Sequence, residues 1–250
     1  MTSAVIAIRS LLFNAVFYVV LIVYLLATAV TLLMPRAALL ALLNNWSRLN
    51  SRLLRLICGV KVEIAGLDKI PSGAMLVAAK HQSMWETFAL IPLFRDPTFV
   101  LKRELMLIPF FGWAARHAQM IPVDRGARSV ALMKMTEQAK FEARRGRQIV
   151  IFPEGTRCAP GAAPKYKFGA AHLYAELGIP CVPVALNSGL FWPRRSFLRY
   201  PGTIRVEILD PIMPGLDKAA FAQLLQERVE EATARLVAQG RRELAAAHLS

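Results

Sequence analysis

The sequence predicts an α/β protein, a layered mixed sheet flanked by helices, preceded by an N-terminal membrane-associated helix pair. Three observations carry that expectation. The 24 residues from Leu11 to Met34 hold no charged side chain. After Gly59, short apolar runs alternate with helix-length segments, the pattern of strands joined by crossover helices. Residues 1–57 contain Arg9, Arg36, Arg48, Arg52 and Arg55 but no acid, the first being Glu63. The chain therefore divides into an anchor over residues 1–57 and a folded domain over 58–250.

Composition narrows the function classes. Of the 250 residues, 55% are hydrophobic and 19% charged, which excludes a disordered chain. Thirty-one basic residues against 17 acidic ones give a formal charge of +14. Such an excess favours an anionic partner: a phospholipid surface, a phosphorylated substrate, an acidic protein or a nucleic acid. Cys58, Cys158 and Cys181 form no C-x-x-C pair, which argues against a disulfide scaffold or structural zinc.

The first element, Leu11–Met34, reaches roughly 36 Å as a helix, enough to cross a hydrocarbon core of about 30 Å. It is apolar all round, unlike a core helix with a polar face. Ala27-Thr28-Ala29 resembles a signal-peptidase site, but the apolar run continues past it to Met34, so a retained anchor is expected. Whether it crosses the bilayer or stays in one leaflet is left open. After Pro35, residues 37–57 place leucines and Trp46 at helical spacing, with Arg48, Arg52 and Arg55 between them. This reads as a basic amphipathic helix in the headgroup region, the alternative being packing on the following domain. The positive charge after the first segment puts the domain on the cytoplasmic side of an inner membrane.

Expected strands are Val62–Ala65, Ala74–Ala79, Thr98–Leu101, Met120–Val123, Gln148–Phe152, Cys181–Leu186 and Thr203–Leu209. Expected helices are 84–94, 104–117, 128–145, 168–177 and 218–238, the last ending near Gly240. Residues 158–164 and 187–202 read as long loops.

Three constellations could bear chemistry. His81 follows an apolar strand, and Glu86 lies five residues on. On one continuous helix these side chains would point about 140° apart, but they converge if His81 stays in a loop and the helix starts near Ser83. Ser83-x-x-Glu86 is also a capping-box pattern, so Glu86 has a purely structural alternative. Next, the string IVIFPEGTR ends a strand with Glu154, Gly155, Thr156 and Arg157, where glycine permits close backbone approach and arginine offers a fork for phosphate. Third, Lys102 and Arg103 precede the apolar run 105–113, and Arg125 closes QMIPVDR. That run reads as membrane-facing or acyl-chain-facing surface, or as core. No histidine pair has metal-ligand spacing, so no metal is expected.

Taken together, these strings resemble the glycerolipid acyltransferase family. Its His-x4-Asp motif corresponds to His81…Glu86, its K-x-E-L…I-x-x-D-R block to Lys102…Arg125, its F-P-E-G-T/S-R string to Phe152–Arg157, and its V-P-V/I-A block to Val182–Ala185. The resemblance covers roughly residues 60–190. Glu86 stands where the family usually has Asp, and Gln119 where many members have Gly.

The resemblance implies a glycerol-phosphate acyltransferase-like fold and direct acyl transfer. The donor would be an acyl-carrier protein or coenzyme A thioester, with no other cofactor. The acceptor would be lysophosphatidic acid (1-acyl-sn-glycerol 3-phosphate) or a related lysolipid such as a lyso-ornithine lipid. His81 would act as base with Glu86 orienting it. Arg157, with Lys102–Arg103 or Arg125, would hold the acceptor phosphate beside Glu154, Gly155 and Thr156. Glu154 would hold these cations or accept from glycerol oxygens. A membrane-tethered binding module is the rival class, although basic residues interleaved with aromatics, as nucleic-acid binders carry them, are absent. A phosphatase lacks any nucleophile motif here.

Overall fold

The computed structural model describes residues 2–124 and 128–249. Two helices open the chain, α1 (Ser3–Thr31) and α2 (Arg36–Cys58). Seven strands follow: β1 (Val60–Ala65), β2 (Met75–Ala79), β3 (Pro97–Lys102), β4 (Ile121–Val123), β5 (Gln148–Ile151), β6 (Cys181–Leu186) and β7 (Gly202–Ile208). They form one sheet in the order β1-β7-β6-β2-β5-β3-β4. All neighbours pair in parallel except β6 with β7. The expected mixed sheet is thus present, with every expected strand found to within two residues at either end.

The remaining helices are α3 (Glu86–Ala89), α4 (Phe111–His117), α5 (Arg128–Arg144), α6 (Phe168–Leu177), α7 (Ser188–Phe191) and α8 (Lys218–Leu249). Strand residues alternate between two layers, as the two-residue period of a strand requires. Val77, Val150 and Val182 face a core with Phe13 and Phe17 of α1, Leu54 of α2 and Phe88 of α3. Leu76, Ala78, Ile149 and Ile151 face α5, α6 and α8, where Tyr174 stacks on Phe221 at 3.8 Å.

Three expected helices differ from those observed. The segment 84–94 is a short α3 followed by a 3-10 turn at Ile91–Leu93, because Pro92 has no N–H to continue the ladder. The segment 104–117 is a 3-10 turn at Arg103–Leu107 and then α4. Pro109 forces the preceding Ile108 into extended backbone (ψ 122°), and Phe110 turns through φ 61°. The last helix runs beyond Gly240 to Leu249. A Cβ at Gly240 would lie 2.6 Å from Leu190, so glycine permits the close approach to α7. Glu243, one turn on, receives hydrogen bonds from Arg205 and Thr203. The loop expected over 187–202 also contains α7.

α1 and α2 form an antiparallel hairpin: Arg9 donates to the Ile57 carbonyl and Tyr24 to Asn45. Their inner faces pack on the sheet domain. Phe17 contacts Phe88 and Trp192, Asn14 donates to Phe197 O, and Arg199 donates to Asn14. At the far end of α1, Met34 O meets His117 Nε2 of α4 at 3.1 Å. The outer face of α1 stays apolar and exposed, at Ile8, Leu11, Val19 and Ile22 for example. α1 is long and apolar enough to cross a membrane.

Candidate active site

Three adjacent parallel strands, β6, β2 and β5, end at the same edge of the sheet, and the candidate chemistry sits on the turns that follow them. In open parallel sheets this carboxyl edge is where ligands bind. β2 ends at Ala79 and leads into Lys80-His81; β5 ends at Ile151 and leads into Phe152–Arg157; β6 ends at Leu186 and leads into Asn187-Ser188.

His81 lies outside α3, which is the condition under which the spacing lets the two side chains converge, although α3 starts at Glu86 rather than near Ser83. Its Nδ1 is 2.9 Å from Glu86 Oε1. The same oxygen accepts from the backbone N–H groups of Gln82 (2.7 Å) and Ser83 (2.6 Å), while Glu86 Oε2 accepts from Ser188 Oγ (2.8 Å). Glu86 is fully buried, and a carboxylate ringed by donors can only accept. Nδ1–H therefore donates to Glu86, and Nε2 is the ring atom left to accept a proton. Phe152 stacks on the ring at 4.2 Å and fixes its plane from the other side. The expected capping box on Ser83 does not form: α3 begins at Glu86 itself with Trp85 as its N-cap, although the Glu86 carboxylate still accepts from the Ser83 amide as well as from His81.

Glu154 is buried, and both its oxygens are engaged. Oε2 accepts from the His81 backbone N–H (3.0 Å) and Oε1 from Lys80 Nζ (2.8 Å). The cation it holds is thus Lys80, not Lys102, Arg103 or Arg157 as expected, because the Lys80 side chain turns inward beneath the loop. Lys80 Nζ also donates to Glu230 of α8 (2.7 Å). Burial works against the ammonium, but the hydrogen bonds and charges of Glu154 and Glu230 outweigh it and hold Lys80 above the ordinary lysine pKa.

Gly155 takes φ 65° to close a tight turn on the Phe152 carbonyl (2.8 Å), which places Thr156 and Arg157 at the surface. Cys158 N donates to His81 O at 2.8 Å, so the Arg157 loop and the His81 loop are joined directly. Arg157 is exposed and has no carboxylate partner among the described residues. It lines a groove of about 500 Å³ between α1 and the 192–199 loop, together with Met84, Leu11, Asn14 and Tyr18.

The second basic block is less closely assembled. Lys102 pairs with Glu104 (3.0 Å) and Arg103 with Asp124 (2.7 Å), both near the surface beyond β3. Neither bonds to the His81 cluster. Arg125 lies outside the described residues. Leu105, Leu107, Ile108 and Trp113 of the apolar run are exposed, which favours its reading as surface over core. Gln119, in the position often held by glycine, adopts φ 58°; its carbonyl accepts from Thr98 Oγ1 and its Oε1 from Arg145.

Lys80, Ser188 and Glu230 escaped the sequence reading. Lys80 sits beside His81 in the quoted string KHQSMWETF, and only its burial distinguishes it from a surface lysine. Ser188 and Glu230 lie over a hundred residues from His81, and no spacing pattern signals them.

Comparison with known proteins identifies the family. The model of the Acyltransferase family matches residues 61–187. A 1-acyl-sn-glycerol-3-phosphate acyltransferase of Pseudomonas aeruginosa is 38% identical over 193 residues, covering 76% of this chain and 75% of that protein. The mouse protein 1-acyl-sn-glycerol-3-phosphate acyltransferase alpha is 28% identical over 174 residues, 65% of this chain and 61% of its own length. In fold, the chain is similar to the crystal structure of the 1-acyl-sn-glycerophosphate acyltransferase PlsC from Thermotoga maritima, with a TM-score of 0.75, 23% identity, and coverage of 92% of this chain and 97% of that one. With the motifs, the family match over half the chain and the bacterial relative in agreement, this protein belongs to the Acyltransferase family of enzymes.

Proposed function

We propose that the protein transfers a fatty acyl group from a thioester to the sn-2 hydroxyl of 1-acyl-sn-glycerol 3-phosphate, giving phosphatidic acid for phospholipid synthesis. The observation that carries this reading is the His81–Glu86 pair, joined through Nδ1, one loop away from Arg157, which has no carboxylate partner among the described residues. The names of the similar bacterial and animal proteins support the acceptor.

In this mechanism His81 Nε2 takes the proton of the sn-2 hydroxyl as its oxygen attacks the thioester carbonyl. Glu86 stabilises the imidazolium that forms. The tetrahedral intermediate then collapses, the C–S bond breaks, and the leaving thiolate receives the proton from His81. No acyl-enzyme forms. Arg157 receives the acceptor phosphate, a dianion suited to its planar fork. The donor is an acyl-carrier protein or acyl-coenzyme A, each anionic and attracted by the +14 chain. The exposed apolar face of α1 and the basic α2 seat the enzyme on the inner membrane with the sheet domain in the cytoplasm. Because α1 is held against α2 at Arg9 and against the sheet domain at Asn14 and Phe17, it is suited to one leaflet rather than a crossing.

An acceptor panel tests the substrate. Detergent-purified protein with one acyl thioester releases thiol with lysophosphatidate and much less with lyso-ornithine lipid or lysophosphatidylcholine. Faster release with an acceptor lacking a terminal phosphate would contradict the assignment.

A further inference from the structure

We propose that Glu230 of α8 is a positioning residue of the acyl-transfer site, holding the His81 loop and the Arg157 loop in one arrangement. The inference rests on the functional reading above and extends it to a helix outside the segment, residues 61–187, that matches the family.

Glu230 Oε1 accepts two hydrogen bonds. One comes from Lys80 Nζ (2.7 Å), the residue before the base, and one from Tyr166 OH (3.0 Å), near the end of the loop that bears Arg157. From Lys80 the connection continues through Glu154 Oε1 (2.8 Å) and Glu154 Oε2 to the His81 backbone N–H (3.0 Å). The Arg157 loop is closed at its base by Lys167 N on Pro153 O (2.7 Å), one residue beyond Tyr166. A single carboxylate on α8 thus holds the roots of both functional loops.

Chemistry explains why an acid is needed there. Lys80 is almost wholly buried, and an ammonium out of water requires carboxylate partners. Glu154 supplies one but spends its second oxygen on His81. Glu230, a quarter exposed, supplies the other while keeping contact with solvent. The Tyr166 phenol, pushed far up by burial and by the Glu230 carboxylate, stays protonated and donates. Removing Glu230 leaves Lys80 free to pull on Glu154, which shifts the His81 backbone, and leaves Tyr166 without its acceptor. A displacement on the order of 1 Å at a reacting group costs about a hundredfold in rate.

The test uses the full chain in detergent and compares Glu230→Ala, Glu230→Met and Glu230→Gln with Glu231→Ala, an exposed neighbour on α8. Turnover is measured with lysophosphatidate, and hydrogen exchange is measured on the backbone peptide containing His81. Glu230→Ala and Glu230→Met lose about tenfold or more in kcat, and the His81 amide exchanges faster. Glu230→Gln, which keeps the acceptor oxygen, recovers much of both, and Glu231→Ala matches the wild type. Glu230→Met retains the side-chain bulk and decides the case if the alanine variant does not fold. A lower Tm with kcat and His81 exchange at wild-type values would overturn the proposal. The exchange measurement requires no substrate. If wild-type enzyme ignored lysophosphatidate, the functional reading would fall while exchange still decided the role of Glu230.

Discussion

The Glu86 carboxylate receives four donors, from His81, Gln82, Ser83 and Ser188, and has no contact with water. Each donor is nearby in sequence except Ser188, which arrives from the end of β6. Glu86, the first residue of α3, reaches back to the amides of Gln82 and Ser83. Spacing allowed the His81–Glu86 pair once His81 was placed in a loop, but it was the company of the Phe152–Arg157 string that singled it out. The buried Lys80–Glu154 pair was not legible, since nothing in a sequence marks which lysine turns inward. Arg157 differs from both in being exposed and unpaired by any described carboxylate. Arg157→Ala is expected to raise the acceptor KM by about 10–100-fold, the worth of a charge-assisted hydrogen bond, with donor KM little changed. Steady-state kinetics varying each substrate checks this, and a rise confined to the donor KM would contradict the phosphate role.

At the scale of elements, helices meet through charge as well as apolar contact. Asp96, just before β3, receives Arg36 from the start of α2 and Arg147 from the start of β5, while Arg147 also pairs with Glu142 of α5 at 2.7 Å. Burial raises the Asp96 carboxyl, but Arg36 and Arg147 outweigh it and hold it below its ordinary value. Such a group lends stability above its unfolded pKa, near 3.9, and loses it as the pH falls through the lower folded value. Asp96→Asn should therefore lower Tm at pH 7 by roughly 2–6 °C, and the gap should narrow as the pH falls below about 4. Thermal melts of both proteins across pH 3–7 measure this; a gap that does not change with pH would contradict the ion pair's role. Element positions followed well from periodicity where strands are buried on both faces, as in β2, β5 and β6. They failed at Pro92 and Pro109, where the apolar pattern continues but the backbone cannot, and at α8, where Gly240 is a packing residue rather than a stop.

Across the whole molecule, the carboxyl edge of the sheet and the α1–α2 hairpin lie against each other. The groove beside Arg157 has α1 as one wall, with Leu11, Asn14 and Tyr18 facing Trp192 and Phe197. α1 was legible from the uncharged run Leu11–Met34 and the sheet from its strand–helix alternation. Docking entered the sequence reading only as the alternative for α2, which does pack on the domain through Leu54; that of α1 was not legible, because it depends on Phe13, Phe17 and Arg199, none of which stands out from its neighbours in the sequence. In the proposed reaction a general base contributes about 10²–10⁴-fold. The most direct measurement is thiol release from an acyl thioester by wild-type and His81→Ala protein reconstituted in vesicles containing lysophosphatidate. The account predicts a loss of at least a hundredfold in a variant that still binds the vesicles and melts like the wild type; turnover within a few fold of wild type would contradict it.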